Sequence, residues 1–251
     1  MIVYIACAKI MSGHSMQPLP FTTEPLFQPQ ANRMALQMAS YTVRELQTAL
    51  KVNRSIAQTT WQRYQQFFQT EKKREAAAFS YDGMVFKKLA PETFSEKDLR
   101  YANEHLFIGS FLYGLLRPLD VVMSYRMEGR LLLPENGKTN LFDFWKPLLT
   151  DYLIEQIKAD DGILVNLASN EMTTLFDWKR VLREVRVVTP EFQVLKEDGL
   201  KTIVIYTKMC RGAMARFILK NRITSLEALK SFEYDGFSLD ESSGDYHFNL
   251  L

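Results

Sequence analysis

The sequence predicts an α+β fold: a single domain over residues 1–251, with a mixed β-sheet surrounded by helices. Three observations carry this expectation. Met1 to Ala8 is a continuous apolar run rich in β-branched residues, the pattern of a strand buried on both faces. Ile163 to Ala168 repeats that pattern directly after Gly162. Around these runs lie long stretches with apolar residues at helical spacing, and Asp198-Gly199 marks a late hairpin turn. No internal repeat is visible, and no linker divides the chain.

Taken in order, Met1 to Ala8 forms the first strand. Ser12 to Gln30 carries Pro18, Pro20, Pro25 and Pro29 and reads as an extended surface loop. Met34, Met38 and Tyr41, then Leu46 and Leu50, set out helical stripes. A further stripe runs through Ile56, Trp61, Tyr64 and Phe68, with Asn53 as its cap. Asp82-Gly83 turns the chain between short apolar runs. Ser95 to Asp98 is a capping box for a helix bearing Leu99, Ala102 and Leu106. Its apolar pattern continues through Phe111, Leu112 and Leu115 to Pro118, with Gly109 and Gly114 suggesting a break.

Asn140 to Ile157 is helical, and Pro147 fits if the helix starts just before it, capped by Asp143. Strands follow at 185–188, 192–195 and 200–207, the last two joined at Asp198-Gly199. Lys208 to Arg222 reads as a basic helix. A short helix over 224–232 has a Thr224–Glu227 capping box, and a hairpin over 237–248 closes the chain around Ser242 to Gly244.

Of the 251 residues, 47% are hydrophobic and 24% charged, as in ordinary globular proteins. With 11 Gly and 9 Pro, a collagenous or low-complexity chain is excluded. Disorder, a disulfide scaffold and a coiled coil are excluded as well. Area scaling gives roughly three-quarters of the extended chain's surface buried on folding, enough for a substantial core. The net charge is only +2, so a basic surface, if the fold makes one, is local. Cys7 and Cys210 form no CxxC, and His14, His105 and His247 have no metal-ligand spacing. The expectation is two reduced thiols in a cytoplasmic protein, with no cofactor and no stable metal. The opening segment has no basic leader region, and no stretch approaches the roughly 20 apolar residues of a membrane span.

Four segments place charged or polar residues where a buried element ends: Ala6 to Lys9, Tyr113 to Asp120, Asn166 to Glu171, and Lys208 to Gly212. Strand ends that feed polar loops are where such sheets place ligand sites. For each segment alone the plain reading is an ordinary strand end; four in one chain raise the odds of a site. The segment Lys208 to Arg222 also holds Arg216 and Lys220, and on a helical wheel Lys208, Arg211 and Arg222 fall on nearly one face. Backbone amides at the Gly212 end favour an anion. Read functionally, this is a phosphate-binding wall; read plainly, a solvated basic face. Arg117 and Asp120 flank Pro118, either as an internal salt bridge or as part of an arginine pair with Arg126 beside a base-stacking Tyr125. The glycines of Gly109 to Gly114 suggest a helix–hairpin–helix-like turn, with amides approaching phosphate. Lys9, directly after a strand, is an ordinary solvated lysine or a nucleophile, and Asp120 and Glu171 are candidate acids or bases.

These segments together resemble the YaaA peroxide-stress protein family of bacteria, nearly end to end. Ala8-Lys9 retains part of its Ser-Pro-Ala-Lys, and Leu112 to Asp120 keeps its Leu-Tyr-Gly-x-Leu-Arg-Pro-Leu-Asp intact. Tyr125-Arg126 and Leu141 to Trp145 follow. Asn166 to Glu171 matches Asn-Leu-Ala-Ser-x-Glu, with Met172 in place of a tyrosine, and Lys208 to Met214 matches Lys-x-x-Arg-Gly-x-Met. The resemblance implies a protein of the oxidative-stress response, associated with lowering free iron under hydrogen peroxide. It also implies DNA binding through a positively charged cleft and a helix–hairpin–helix element on an unusual α+β fold.

Two hypotheses remain open. In the first, Lys9, Arg117, Tyr125, Arg126, Asn166, Ser169, Lys208, Arg211, Arg216 and Arg222 hold duplex or distorted DNA by its phosphates. In the second, the same cleft is an enzyme site for a nucleotide or damaged base, with Lys9, Asp120 and Glu171 catalytic. Direct iron sequestration ranks below both, for want of a His/Cys cluster.

Overall fold

A computed structural model describes residues 1–11, 15, 18–69, 74–134, 137 and 139–251. The chain runs through β1 (Ile2–Ala6), α1 (Gln28–Ser40), α2 (Val43–Leu50), α3 (Arg54–Gln65), β2 (Glu75–Ala76), α4 (Ala77–Ser80), α5 (Met84–Leu89) and α6 (Glu96–His105). It continues with β3 (Leu106–Ser110), β4 (Gly114–Leu116), β5 (Val121–Val122), α7 (Leu141–Ala159), β6 (Ile163–Asn166), α8 (Asn170–Thr173), α9 (Trp178–Glu184) and β7 (Arg186–Val188). Last come β8 (Glu191–Lys196), β9 (Gly199–Lys201), α10 (Val204–Asn221), α11 (Leu226–Leu229), β10 (Ser238–Leu239) and β11 (His247–Leu250). Of the segment read as a surface loop, Ser12, Gly13, His14, Met16 and Gln17 lie outside the described residues. Pro29 belongs to the first turn of α1, where its missing N–H removes no helical bond.

The main sheet has the order β4-β3-β1-β6-β7. β1 pairs in parallel with both β3 and β6, β7 extends the parallel set, and β4 returns antiparallel to β3. The sheet is therefore mixed, as the sequence predicts, and helices surround it. β1 is central: Val3, Tyr4 and Ile5 are completely buried, the reason its sequence is apolar without alternation. A second mixed sheet, β10-β11-β8-β9, is built on the predicted hairpins, with β11 parallel to β8. β2 and β5 form a two-stranded ladder.

The apolar stripe of α6 does not continue as helix. α6 ends at His105, and Leu106 begins β3, because Leu106 to Gly109 supply β1 with a parallel neighbour. Gly109 to Gly114 is accordingly a β-hairpin between β3 and β4, which corrects the helix–hairpin–helix-like reading of these glycines. Gly109 lies so close beneath the Tyr4 hydroxyl that a Cβ there has no room. Gly114 takes φ +71° with Trp145 ring atoms 2.8 and 2.9 Å from where its Cβ would stand. Trp145 in turn donates its indole N–H to the Phe111 carbonyl oxygen at 2.9 Å, pinning α7 to the hairpin.

Other boundaries move for identifiable reasons. The predicted strand over 200–207 stops at Lys201, and Val204 opens α10. Val204, Ile205 and Tyr206 are exposed, so the β-branched run carries no buried strand face; Thr207 and Cys210 turn inward at helical spacing. The cap of α7 is Asn140, whose side chain accepts from the Asp143 N–H, and Pro147 lies inside the helix. The cap of α11 is Ser225, accepting from Ala228 N–H, not Thr224. Asn53 caps α3, and Ser95 with Asp98 forms the capping box of α6, as expected.

α10 packs closely on α5 at Gly212, where a Cβ would fall on the Val85 carbonyl oxygen and within 2.9 Å of Lys88 Cβ. It is tied to α6 by Asp98, which accepts from Arg222 at 3.2 Å and pairs with Lys220 at 3.4 Å. Burial of the Asp98 carboxyl is overridden by hydrogen bonds from Ser95 and by Lys220, which hold it down at about 2 against an ordinary 3.8.

Gly212→Ala gains about 1 kcal/mol of helix propensity but forces α5 away from α10. It is expected to lower stability by about 2 kcal/mol net, measured by urea denaturation. The lowered Asp98 pKa means that its stabilising contribution is complete above the unfolded value of 3.8 and is lost as pH falls through about 2. Wild type is thus expected to lose stability over that window, and Asp98→Asn to lack that component, in a comparison of melting temperatures against pH.

Candidate functional site

β1, β3 and β6 end side by side. β1 runs into Cys7 to Ile10, β6 into Leu167 to Met172, and the β3–β4 turn supplies Phe111. The strands flanking β1 are reached on opposite sides, so these carboxyl ends open onto a crevice at a reversal of strand order, a recurrent ligand position. A cavity of about 360 Å³ occupies it, closed by the start of α5 and by α10.

The wall is largely apolar, with Ile10, Met84, Phe111, Met127, Leu167 and Met172 contributing. Four cationic residues border it, Lys9, Arg126, Lys208 and Arg211, together with the carboxylates of Asp82 and Glu171. Cys7, Ser169 and Tyr125 complete the polar inventory.

Each cation is held differently. Lys9 is largely exposed and pairs with Glu128 at 2.7 Å; Arg126 pairs with the other carboxylate oxygen of Glu128 at 3.0 Å. Glu128, itself 18% exposed, therefore clamps two of the four cations. Arg126 is also fixed through its backbone: its carbonyl oxygen accepts from Tyr64 of α3 at 2.9 Å. Arg63, one residue earlier on α3, donates to the carbonyl oxygens of Tyr125 at 3.2 Å and Met11 at 3.1 Å. Burial lowers the Arg63 pKa.

Arg211 is different. It is half-buried on α10, burial lowers its pKa, and its Nε is buried with no hydrogen-bond partner among the described residues. Arg126 Nε is buried and unpartnered in the same way. Lys208 stands exposed one turn before Arg211.

The floor carries neutral donors. The Tyr125 hydroxyl lies 2.9 Å from that of Tyr81 and 2.7 Å from Ser110 Oγ, and Ser110 Oγ accepts from Tyr113 N–H at 3.0 Å. Burial pushes the Cys7 thiol up to about 12 despite its hydrogen bond with Tyr125, and the nearby Glu171 carboxylate pushes the same way. The Tyr125 hydroxyl, pushed up by the same burial, and the Cys7 thiol stay protonated near neutral pH.

Of the residues singled out from sequence, Lys9, Tyr125, Arg126, Ser169, Glu171, Lys208 and Arg211 line the cavity. Five do not. Asp120 is buried in the turn after β4, accepting from Thr23 Oγ1 at 2.6 Å and from the Arg117 backbone N–H at 2.7 Å; burial raises its pKa. Arg117 donates from its side chain to the Tyr152 hydroxyl at 3.1 Å. Asn166 donates to Thr189 and accepts from Ala168 N–H at 3.2 Å, shaping the loop after β6. Arg216 donates to the carbonyl oxygens of Leu89 and Ala90 and to Thr93, and lies over the Phe94 ring. Arg222 ends α10, over Tyr101 and bonded to Asp98. A wheel gives direction but not height: Arg222 stands about 16 Å along the axis from Arg211. Gly212 is mid-helix, so no helix-end amides lie there. Tyr125 is buried with its hydroxyl engaged, so it is not an open stacking platform.

Sequence reasoning missed Glu128, Arg63 and the three cavity methionines. Only the Arg126-x-Glu128 spacing hinted at the first. The α2–α3 pair is a further feature. A Thr42–Glu45 capping box starts α2, Lys51 in the left-handed conformation (φ 51°) ends it, and Asn53, two residues on, caps the start of α3. Arg44, Lys51 and Arg54 are exposed there, and Arg44 and Lys51 border a shallow recess. Among the described residues, no three His, Cys, Asp or Glu side chains gather as a metal site, and no helix is long and apolar enough to cross a membrane.

Comparison with known proteins places the chain in a family. The family described as "Peroxide stress protein YaaA" matches residues 1–243. A UPF0246 protein of Phocaeicola vulgatus is 50% identical, with 100% of both chains covered. One from Bacteroides thetaiotaomicron is 53% identical over 98% of this chain and 95% of its own. One from Clostridium beijerinckii is 31% identical over 96% of this chain and 93% of its own. The chain belongs to the YaaA peroxide stress protein family.

Proposed function

We propose that this chain is a cytoplasmic peroxide-stress protein that binds DNA by its phosphates at the mouth of the cavity. The observation that carries the reading is Arg211. A guanidinium withdrawn from water with an unpartnered Nε is unfavourable in the free protein and is relieved when an anion arrives. A planar fork of donors suits a phosphate. Lys208 adds charge beside it, while Arg126 and Lys9 wait on Glu128, a carboxylate that an incoming phosphate displaces. The helix pair α2–α3 supports the same reading with Arg44, Lys51 and Arg54 on an exposed turn.

The enzymatic alternative keeps Glu171 but loses Asp120 to the Thr23 turn. It also finds Lys9 exposed and ion-paired to Glu128, which does not favour a nucleophile.

Fluorescence anisotropy with duplex and bulged DNA over a salt series tests the proposal. Each neutralised phosphate contributes about −0.9 to the slope of log K against log salt. Arg211→Ala and Lys208→Ala are expected to weaken binding about tenfold and to flatten the slope by about one each. Arg216→Ala and Arg222→Ala are expected to leave that slope unchanged. Glu128→Gln, which frees Lys9 and Arg126, is expected to tighten binding at low salt. A salt-independent affinity, or an Arg211→Ala variant that binds like wild type, contradicts the proposal.

A further inference from the structure

We propose that the cavity is a single-nucleotide site. It takes one nucleoside monophosphate unit, phosphate at Arg211 and Lys208, base against the thioether and aromatic wall inside. The inference rests on the DNA reading for its phosphate contacts, and adds a base pocket that phosphate binding alone does not require.

Size and shape come first. About 360 Å³ lies at the small end of the range for small-molecule sites, enough for a base and sugar and far too little for a duplex. A surface that only tracks a DNA backbone needs a shallow groove; this one is a recess behind its cations.

The lining has two chemistries in the order a nucleotide presents them. Lys208 and Arg211 lie together on α10, and Arg211 has an unpartnered buried Nε. Buried where Lys208 is exposed, Met127, Met172 and Phe111 join the half-buried Met84, bringing three thioethers to one cavity. Thioethers make favourable contacts with aromatic rings and adapt to their outline, so this wall suits a flat heteroaromatic base. A wall for an aliphatic chain needs no polar groups, but here Ser169 stands in the same cavity, half-buried and with a side chain that caps nothing. The Tyr125 hydroxyl is taken up by Tyr81 and Ser110, so the Ser169 hydroxyl is the neutral hydrogen-bonding group for the edge of a base, without the cost of burying a charge. Glu171 is an acceptor at the border, suited to a sugar hydroxyl or an exocyclic amine.

A free nucleotide and a nucleotide unstacked from a DNA strand share this chemistry, and the test separates them. Titration calorimetry uses dAMP, deoxyadenosine and inorganic phosphate. A fluorescence arm compares a duplex carrying an extrahelical 2-aminopurine with the fully paired duplex. The variants are Arg211→Ala and Met84→Trp; Met84 is half-buried in the lining and belongs to no phosphate-holding set, so the larger ring fills the cavity and leaves every cation in place.

The expected result is that dAMP binds about tenfold or more tightly than either fragment, and that Arg211→Ala weakens it about tenfold. Met84→Trp is expected to abolish dAMP binding while paired-duplex affinity persists. A preference for dAMP without a preference for the extrahelical duplex assigns the site to free nucleotides. A preference for the extrahelical duplex that Met84→Trp removes assigns it to strand-held ones. If dAMP does not bind and both duplexes bind equally, the inference is overturned and the DNA reading stands; if nothing binds, both fall. Should Met84→Trp fail to fold by circular dichroism, competition of dAMP against the extrahelical duplex on wild type decides the same question.

Discussion

Everything at the site depends on β1 being buried on both faces between two parallel neighbours. Such a strand keeps its side chains inside, Tyr4 included, and offers open chemistry only where it ends. β3 ends beside it, with Gly109 opposite Ala6, and β6 ends two residues earlier, with Asn166 opposite Tyr4. The chain then has three exits converging on one place, and the residues of those exits become the walls of a cavity. α7 is locked to the hairpin by the Trp145–Phe111 bond, and Tyr4 of β1 donates to the Met172 carbonyl oxygen at 3.1 Å. The two loops that face each other across the crevice are thus tied to the same sheet.

The electrostatics of the cavity are a balance, not a basic patch. Four cations meet two carboxylates in the lining, and Glu128 just outside it neutralises a further share. This agrees with a chain whose overall charge is only +2. Among the lining cations, Arg211 alone is both withdrawn from water and unattached to any described residue, so the free energy of ligand binding concentrates there. Arg63 and Tyr64 act from behind: buried on α3, they hold the Tyr125–Arg126 backbone in place and touch nothing in the cavity themselves.

The legible parts of the fold were those written in local pattern. The strands β1 and β6, the Ser95 and Asn53 caps and the Asp198-Gly199 hairpin follow from residues within a few positions of one another. The misread parts depended on distant partners. The run after α6 looked helical because nothing local says that Leu106 to Ile108 has β1 to pair with. Val204 to Tyr206 looked like a strand because its exposure is set by the sheet it fails to join. Within the site, seven of the residues chosen from strand ends do meet. Asp120 was misplaced because its partner, Thr23, is 97 residues away. Glu128 was missed because its ion pair with Lys9 spans 119 residues. Arg222 shares the direction of Arg211 but not its height, and Arg216 points about 140° away from it; their charges stabilise helix packing instead.

The central claim is that an unattached guanidinium at the ends of the parallel strands is where the anion lands. The direct measurement is the NMR resonance of the Arg211 Nε–H group, assigned through Arg211→Lys, followed as DNA is added. The account predicts a large shift and slowed exchange with water for Arg211, followed by Arg126 as Glu128 is displaced. DNA binding that leaves the Arg211 resonance unmoved, while residues of the α2–α3 turn shift, would place the anion elsewhere and contradict the account.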